Sequence, residues 1–126
     1  LESGSGPVPE GCSNVVDWKF IAAVRECVME HISDPDFNVD TLCEIQHMSR
    51  TSFFNKLKML TGYAPVDYIR SIRLQHAARL LKQERCPIAE VADATGFSDA
   101  KYFREVFRKC YGVSPSEYRK EAAGNR

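Results

Sequence analysis

Thr51, Phe54, Asn55 and Lys58 recur at three- and four-residue steps, with Arg50 beside them, and Lys101, Arg104, Glu105 and Arg108 repeat the same steps, with Ala100 beside them. On an α-helix such steps share one face. These residue types can read nucleic acid. Asn pairs bidentately with adenine, Arg and Lys favour guanine edges, Thr and Ala touch the thymine methyl, and Glu accepts from the cytosine amine. Glu105 would act in that last way or orient Arg108. Arg104 and Arg108 lie one turn apart and repel by a few tenths of a kcal/mol on a bare helix surface; phosphate oxygens would relieve that. A solvated charged face is the commoner fate of such residues, so the reading depends on what positions them.

What positions them is a repeat. Val39-Asp40-Thr41-Leu42-Cys43, Met48-Ser49, Phe53, Leu57, Gly62, Pro65 and Tyr68 return as Ile88-Ala89-Glu90-Val91-Ala92, Phe97-Ser98, Phe103, Phe107, Gly112, Pro115 and Tyr118. The offset is 49 residues before the turn and 50 after it. Each copy reads as a short helix, a turn and a second helix opening on a serine, which is the outline of a helix-turn-helix. The spacing assigns one helix-turn-helix to residues 38–62 and another to 87–112, with residues 65–83 as a joining helix of ~27 Å. A last helix covers 115–122, where Ser114, Pro115 and Glu117 form a capping box. Residues 1–14 read as linker or cloning remnant and 121–126 as tail.

Finer signals fill in the frame. The first helix is expected after Asp17 as N-cap, with Ile21, Val24, Val28 and Ile32 as its apolar stripe. Asn38 caps the next. Ser49 and Ser98 open the two outward-facing helices, each with a hydrophobic staple (Met48–Phe53 and Phe97–Tyr102), and their helix N-termini suit phosphate oxygens. The expected core faces are Phe53, Leu57 and Leu60 in the first copy and Phe103, Val106, Phe107 and Cys110 in the second. His47 stands where the second copy has Gly96, at a turn position that often needs a positive φ. No segment alternates with a β period, so the class is all-α: two helix-turn-helix subdomains, about seven helices in total.

Net charge over the 126 residues is zero, but unevenly spread: residues 1–37 carry −5 and residues 38–120 carry +5. The repeated part is the basic one. No apolar run approaches the ~20 residues of a membrane-spanning helix, and no signal peptide opens the chain. Cys12, Cys27, Cys43, Cys86 and Cys110 are odd in number with no CxxC spacing, so they read as reduced structural thiols in a cytoplasmic protein. His31, His47 and His76 lack metal-ligand spacing. No catalytic set or phosphate loop is present, so neither an enzyme nor a cofactor is expected.

The chain from Val15 to Lys120 resembles the DNA-binding domain of the AraC/XylS family of bacterial transcription regulators. The residues that carry the likeness are Arg73-Leu74, Ala77, Leu80-Leu81, Ile88-Ala89-Glu90-Val91-Ala92, Gly96-Phe97-Ser98, Tyr102-Phe103, Phe107, Gly112-Val113-Ser114-Pro115 and Tyr118-Arg119. The resemblance implies two recognition helices in neighbouring major grooves on one side of bent duplex DNA. It maps base contacts onto Thr51, Phe54 and Asn55 and onto Ala100, Lys101, Arg104 and Glu105. Asn55 stands where basic residues are common in the family, and Phe54 where polar ones often occur. Leu60-Thr61-Gly62, Pro65 and Ile32-Ser33-Asp34-Pro35 also resemble the output domains of hybrid two-component sensor-regulators. RNA polymerase is implied as a partner. The first residue is Leu1, so a sensor or effector domain is expected upstream. The competing class is a helical protein-interaction module using the same basic faces.

Overall fold

The computed structural model describes residues 15–83 and 85–124, which form seven helices and no strand: α1 (Val15–Glu30), α2 (Val39–Ile45), α3 (Arg50–Thr61), α4 (Pro65–Gln83), α5 (Ile88–Ala94), α6 (Ala100–Tyr111) and α7 (Pro115–Gly124). They divide into two compact units. One holds α1, α2, α3 and the first turn of α4 to Ile69; the other holds residues 31–37, α4 from Arg70, and α5 to α7. Cys12 lies outside the described residues.

In the first unit α1 begins at Val15, so Asp17 is a first-turn residue and not the N-cap. A carboxylate there still meets the positive end of the helix dipole. Ile21, Val24 and Val28 form the buried stripe as expected; α1 stops at Glu30, so Ile32 belongs to the following segment. Asn38 caps α2 by accepting from the Thr41 N–H at 3.0 Å, and Leu42 and Cys43 point inward. His47 does adopt φ 58°, the left-handed conformation that Gly96 takes at φ 83°. Ser49 caps α3 by accepting from the Ser52 N–H at 3.2 Å. Phe53, Leu57 and Leu60 are buried. The Phe20 ring meets Phe53 edge-on at 5.9 Å and carries the Lys56 ammonium 4.6 Å from its centroid.

The second unit is built on an aromatic stack. Phe97 lies 5.1 Å from Phe103, Phe103 5.7 Å from Phe107, and Phe107 stacks on Tyr111 at 4.5 Å and takes Tyr118 edge-on at 5.4 Å. Each buried phenylalanine contributes about 1.5–3 kcal/mol of transfer free energy. Val106 is only half-buried, and Cys110 is exposed although expected in the core. At that end of α6, Tyr111 and Tyr118 already fill the space against Phe107. The Ser114–Glu117 box closes reciprocally, with bonds of 3.1 and 3.2 Å. α7 continues two residues past the expected 122, into the stretch read as tail. Arg119 fastens it, donating to the Leu81 carbonyl at 3.3 Å and the Cys86 carbonyl at 2.7 Å.

Candidate nucleic-acid interface

The two outward helices correspond residue for residue. α2 and α5 match at an offset of 49 at both ends, and α3 and α6 at an offset of 50. The extra residue of the second copy is therefore Ser98, which lies in the turn. The N-cap of α6 is Asp99, whose carboxylate accepts from the Lys101 N–H at 3.0 Å. This corrects the expectation that both helices open on serine. It also changes the electrostatics: a capping carboxylate satisfies the helix dipole itself and repels phosphate. A phosphate contact at Ser98 thus loses its basis, while that at Ser49 keeps it. The expected ring pairing survives the shift, since Phe97 still lies 6.3 Å from Tyr102.

With Phe53, Leu57 and Leu60 inward, Arg50, Thr51, Phe54, Asn55 and Lys58 are all exposed. With Phe103 and Phe107 inward, Lys101, Arg104, Glu105 and Arg108 are exposed and Ala100 is half-buried. The structure brings each set together on one helix face, as its three- and four-residue spacing required. Phe54 keeps 44% of its surface exposed, which leaves an aromatic ring on this outward face.

Two features were not legible in the spacing. The Arg50 guanidinium contacts the Asp40 carboxylate on α2. At the corresponding positions the second copy has Ala89 and Ala100, so that ion pair has no counterpart there. The second feature is Arg73, matched above only as part of a family pattern. It is buried and donates to four carbonyls: from Nη1 to Ile32 at 2.7 Å and Thr95 at 3.0 Å, and from Nη2 to Asp34 at 3.1 Å and Phe37 at 3.2 Å. Burial pulls its pKa down, and the Asp34 charge opposes that. Thr95 is the last residue before the glycine of the α5–α6 turn, so this guanidinium fixes the turn from which α6 departs.

Comparison with known proteins agrees with this architecture. A family model described as a helix-turn-helix domain matches residues 42–121. The chain is 40% identical over 83 residues to the transcriptional activator RhaR of Pectobacterium atrosepticum, covering 66% of this chain and 29% of that protein. It is 32% identical over 99 residues to the arabinose operon regulatory protein of Escherichia coli, covering 76% of this chain and 34% of that protein. A histidine kinase of Formosa agariphila shares 31% identity over 103 residues, covering 82% of this chain and 8% of the kinase. The chain thus spans between 8% and 34% of these relatives' length. Among solved structures, the DNA-binding domain of AdpA in complex with a target DNA superposes with TM-score 0.77 at 34% identity, covering 84% of this chain and 95% of that one. The C-terminal domain of AraT, a response regulator from Geobacillus stearothermophilus, gives TM-score 0.74 at 29% identity, covering 80% and 84%.

Proposed function

The chain belongs to the AraC/XylS family of DNA-binding helix-turn-helix transcription regulators, and from that premise we propose that α3 and α6 each seat in a major groove and together read an operator. The observation that supports this is the constant offset of 50. Thr51, Phe54, Asn55 and Lys58 correspond to Lys101, Arg104, Glu105 and Arg108, all exposed on helices whose opposite faces are buried. Lysine and arginine contacts to phosphate supply affinity, and contacts to base edges supply choice. The dipole-favoured N-terminus of α3 at Ser49 takes a phosphate oxygen.

The regulatory parts of the reading extend to the longer protein. A sensor or effector domain upstream delivers the signal, and RNA polymerase is the partner that bound protein recruits. The site of action is the cytoplasm; no helix among the described residues is long and apolar enough to cross a membrane.

Mobility shift of random duplex at two salt concentrations tests the binding mode. Affinity should fall steeply with salt, and Lys101→Ala with Arg104→Ala should weaken duplex binding. Unchanged duplex affinity in that double variant would remove α6 as a reader. A protein-interaction module would give no shift even at low salt.

A further inference from the structure

The two reading helices are equal in backbone but unequal in chemistry. In a helix-turn-helix the N-terminal residues of the second helix reach base edges, while residues farther along lie nearer the backbone. The first two turns of α3 offer Arg50, Thr51, Phe54 and Asn55; those of α6 offer Ala100, Lys101, Arg104 and Glu105.

On the outward face of those turns the cation of α3 is Arg50, already paired with Asp40, while Lys56 is turned onto the Phe20 ring. Asp40 sits in the first turn of α2, where the helix dipole favours its charge. An exposed pair of this kind is weak, worth about 0–1 kcal/mol. The carboxylate remains beside the base-reading end of α3 even if Arg50 swings away. It gains no hydrogen bond from a guanine O6 or N7, which are acceptors themselves. What α3 presents freely is an exposed aromatic ring, a threonine methyl and a carboxamide. These suit the thymine methyl and the adenine N6/N7 pair. Lys58, in the third turn, is left for the backbone. On α6 the same turns carry two cations, Lys101 and Arg104, and the acceptor Glu105, with alanines at the positions of Arg50 and Asp40, and the Asp99 carboxylate at that end is spent on capping the Lys101 N–H.

We propose that the operator is chemically asymmetric: α3 selects an A·T element through Phe54, Thr51 and Asn55, because Asp40 withholds its guanine-reading arginine, while α6 selects G·C pairs through Lys101, Arg104 and Glu105. The proposal rests on the groove-seated reading above and names the sequence class that reading leaves open.

The test is selection from a random duplex library by the 126-residue chain and three variants. Positions whose preference collapses in Phe54→Ala with Asn55→Ala are those read by α3; positions that collapse in Lys101→Ala with Arg104→Ala are those read by α6. The first group should be A or T in the wild-type pool, with discrimination falling roughly five- to hundredfold in the double variant. The second group should be G or C. Asp40→Asn frees Arg50. It should admit guanine at the α3 element severalfold more often. Guanine or cytosine at the α3 positions of the wild-type pool would overturn the proposal. So would an Asp40→Asn pool identical to wild type. Enrichment of no duplex at all would instead overturn the DNA-binding reading beneath it.

Discussion

Gly96 and Arg73 compete for one space. A Cβ built on Gly96 would lie 1.5 Å from Arg73 Nη1 and 2.6 Å from the Ile32 carbonyl oxygen that this nitrogen bonds. The glycine also holds φ 83°. Both constraints act at once, because the turn between α5 and α6 is where the guanidinium gathers carbonyls from the 31–37 segment and from Thr95. A methyl group at that point would displace the guanidinium from its acceptors.

Gly96→Ala should therefore destabilise the second unit by about 3 kcal/mol or more, combining left-handed strain with orphaned carbonyls. Gly112→Ala is the matched control. It has φ 81° but nothing within 4 Å of the added Cβ, so it should cost only the strain, about 1–2 kcal/mol. Urea unfolding of both variants checks this; equal losses would show that the space beside Arg73 is not limiting.

Arg73→Lys should not rescue Arg73→Met. A lysine ammonium keeps the charge but has no planar fork to reach four carbonyls from two nitrogens. Both variants should lose at least about 3 kcal/mol, since hydrogen bonds from a charged donor are worth about 1.5–3 kcal/mol each and buried acceptors left bare add to the loss. Retention of wild-type stability by the lysine variant in denaturant titration would refute the fork argument.

Asp99→Ala should cost about 1 kcal/mol through loss of the α6 cap, whereas Ser98→Ala should stay within about 0.5 kcal/mol of wild type. Thermal unfolding of the two single variants separates them. The reverse ranking would return the cap to the serine.

His76 gives the fold a pH dependence of definite sign. Burial, reinforced by Arg79, pushes the imidazole below its ordinary 6.5, and its Nδ1 is buried with no hydrogen-bond partner. The unfolded chain then binds the proton first as pH falls. Stability is full above pH 6.5 and declines as pH drops from there towards the folded pKa. His76→Leu should flatten the part of this decline that His76 causes, measured as unfolding free energy at pH 7.5 and 5.5. An unaltered slope in the variant would exclude His76 as its source.

The all-α class, the paired helix-turn-helix units, the joining helix from residue 65 to 83 and the outward faces of α3 and α6 were legible in the chain before any coordinates. The reason is that hydrophobic periodicity and caps are local. Phe53 and Leu57, or Phe103 and Phe107, four apart on a helix, fix its inward face, and the polar residues between them have nowhere to go but outward. The positive φ at His47 followed from its alignment with Gly96, also a local matter. Where two local signals competed, the sequence was silent. Ser98 and Asp99 are both good N-caps. The packing of Phe97 on Phe103 accompanies the choice of the second, and one residue of shift turns a helix face by about 100°.

Tertiary structure alone decided the contacts between distant segments. Arg73 reaches acceptors 22 to 41 residues away, and Arg50 meets a carboxylate ten residues back on another helix. Cys110 has the periodicity of a core residue and is left at the surface because Tyr111 and Tyr118 close the aromatic stack in its place. A sequence determines which side of a helix is apolar. Which of its polar atoms are already spent on a neighbour depends on distances that only the folded chain creates.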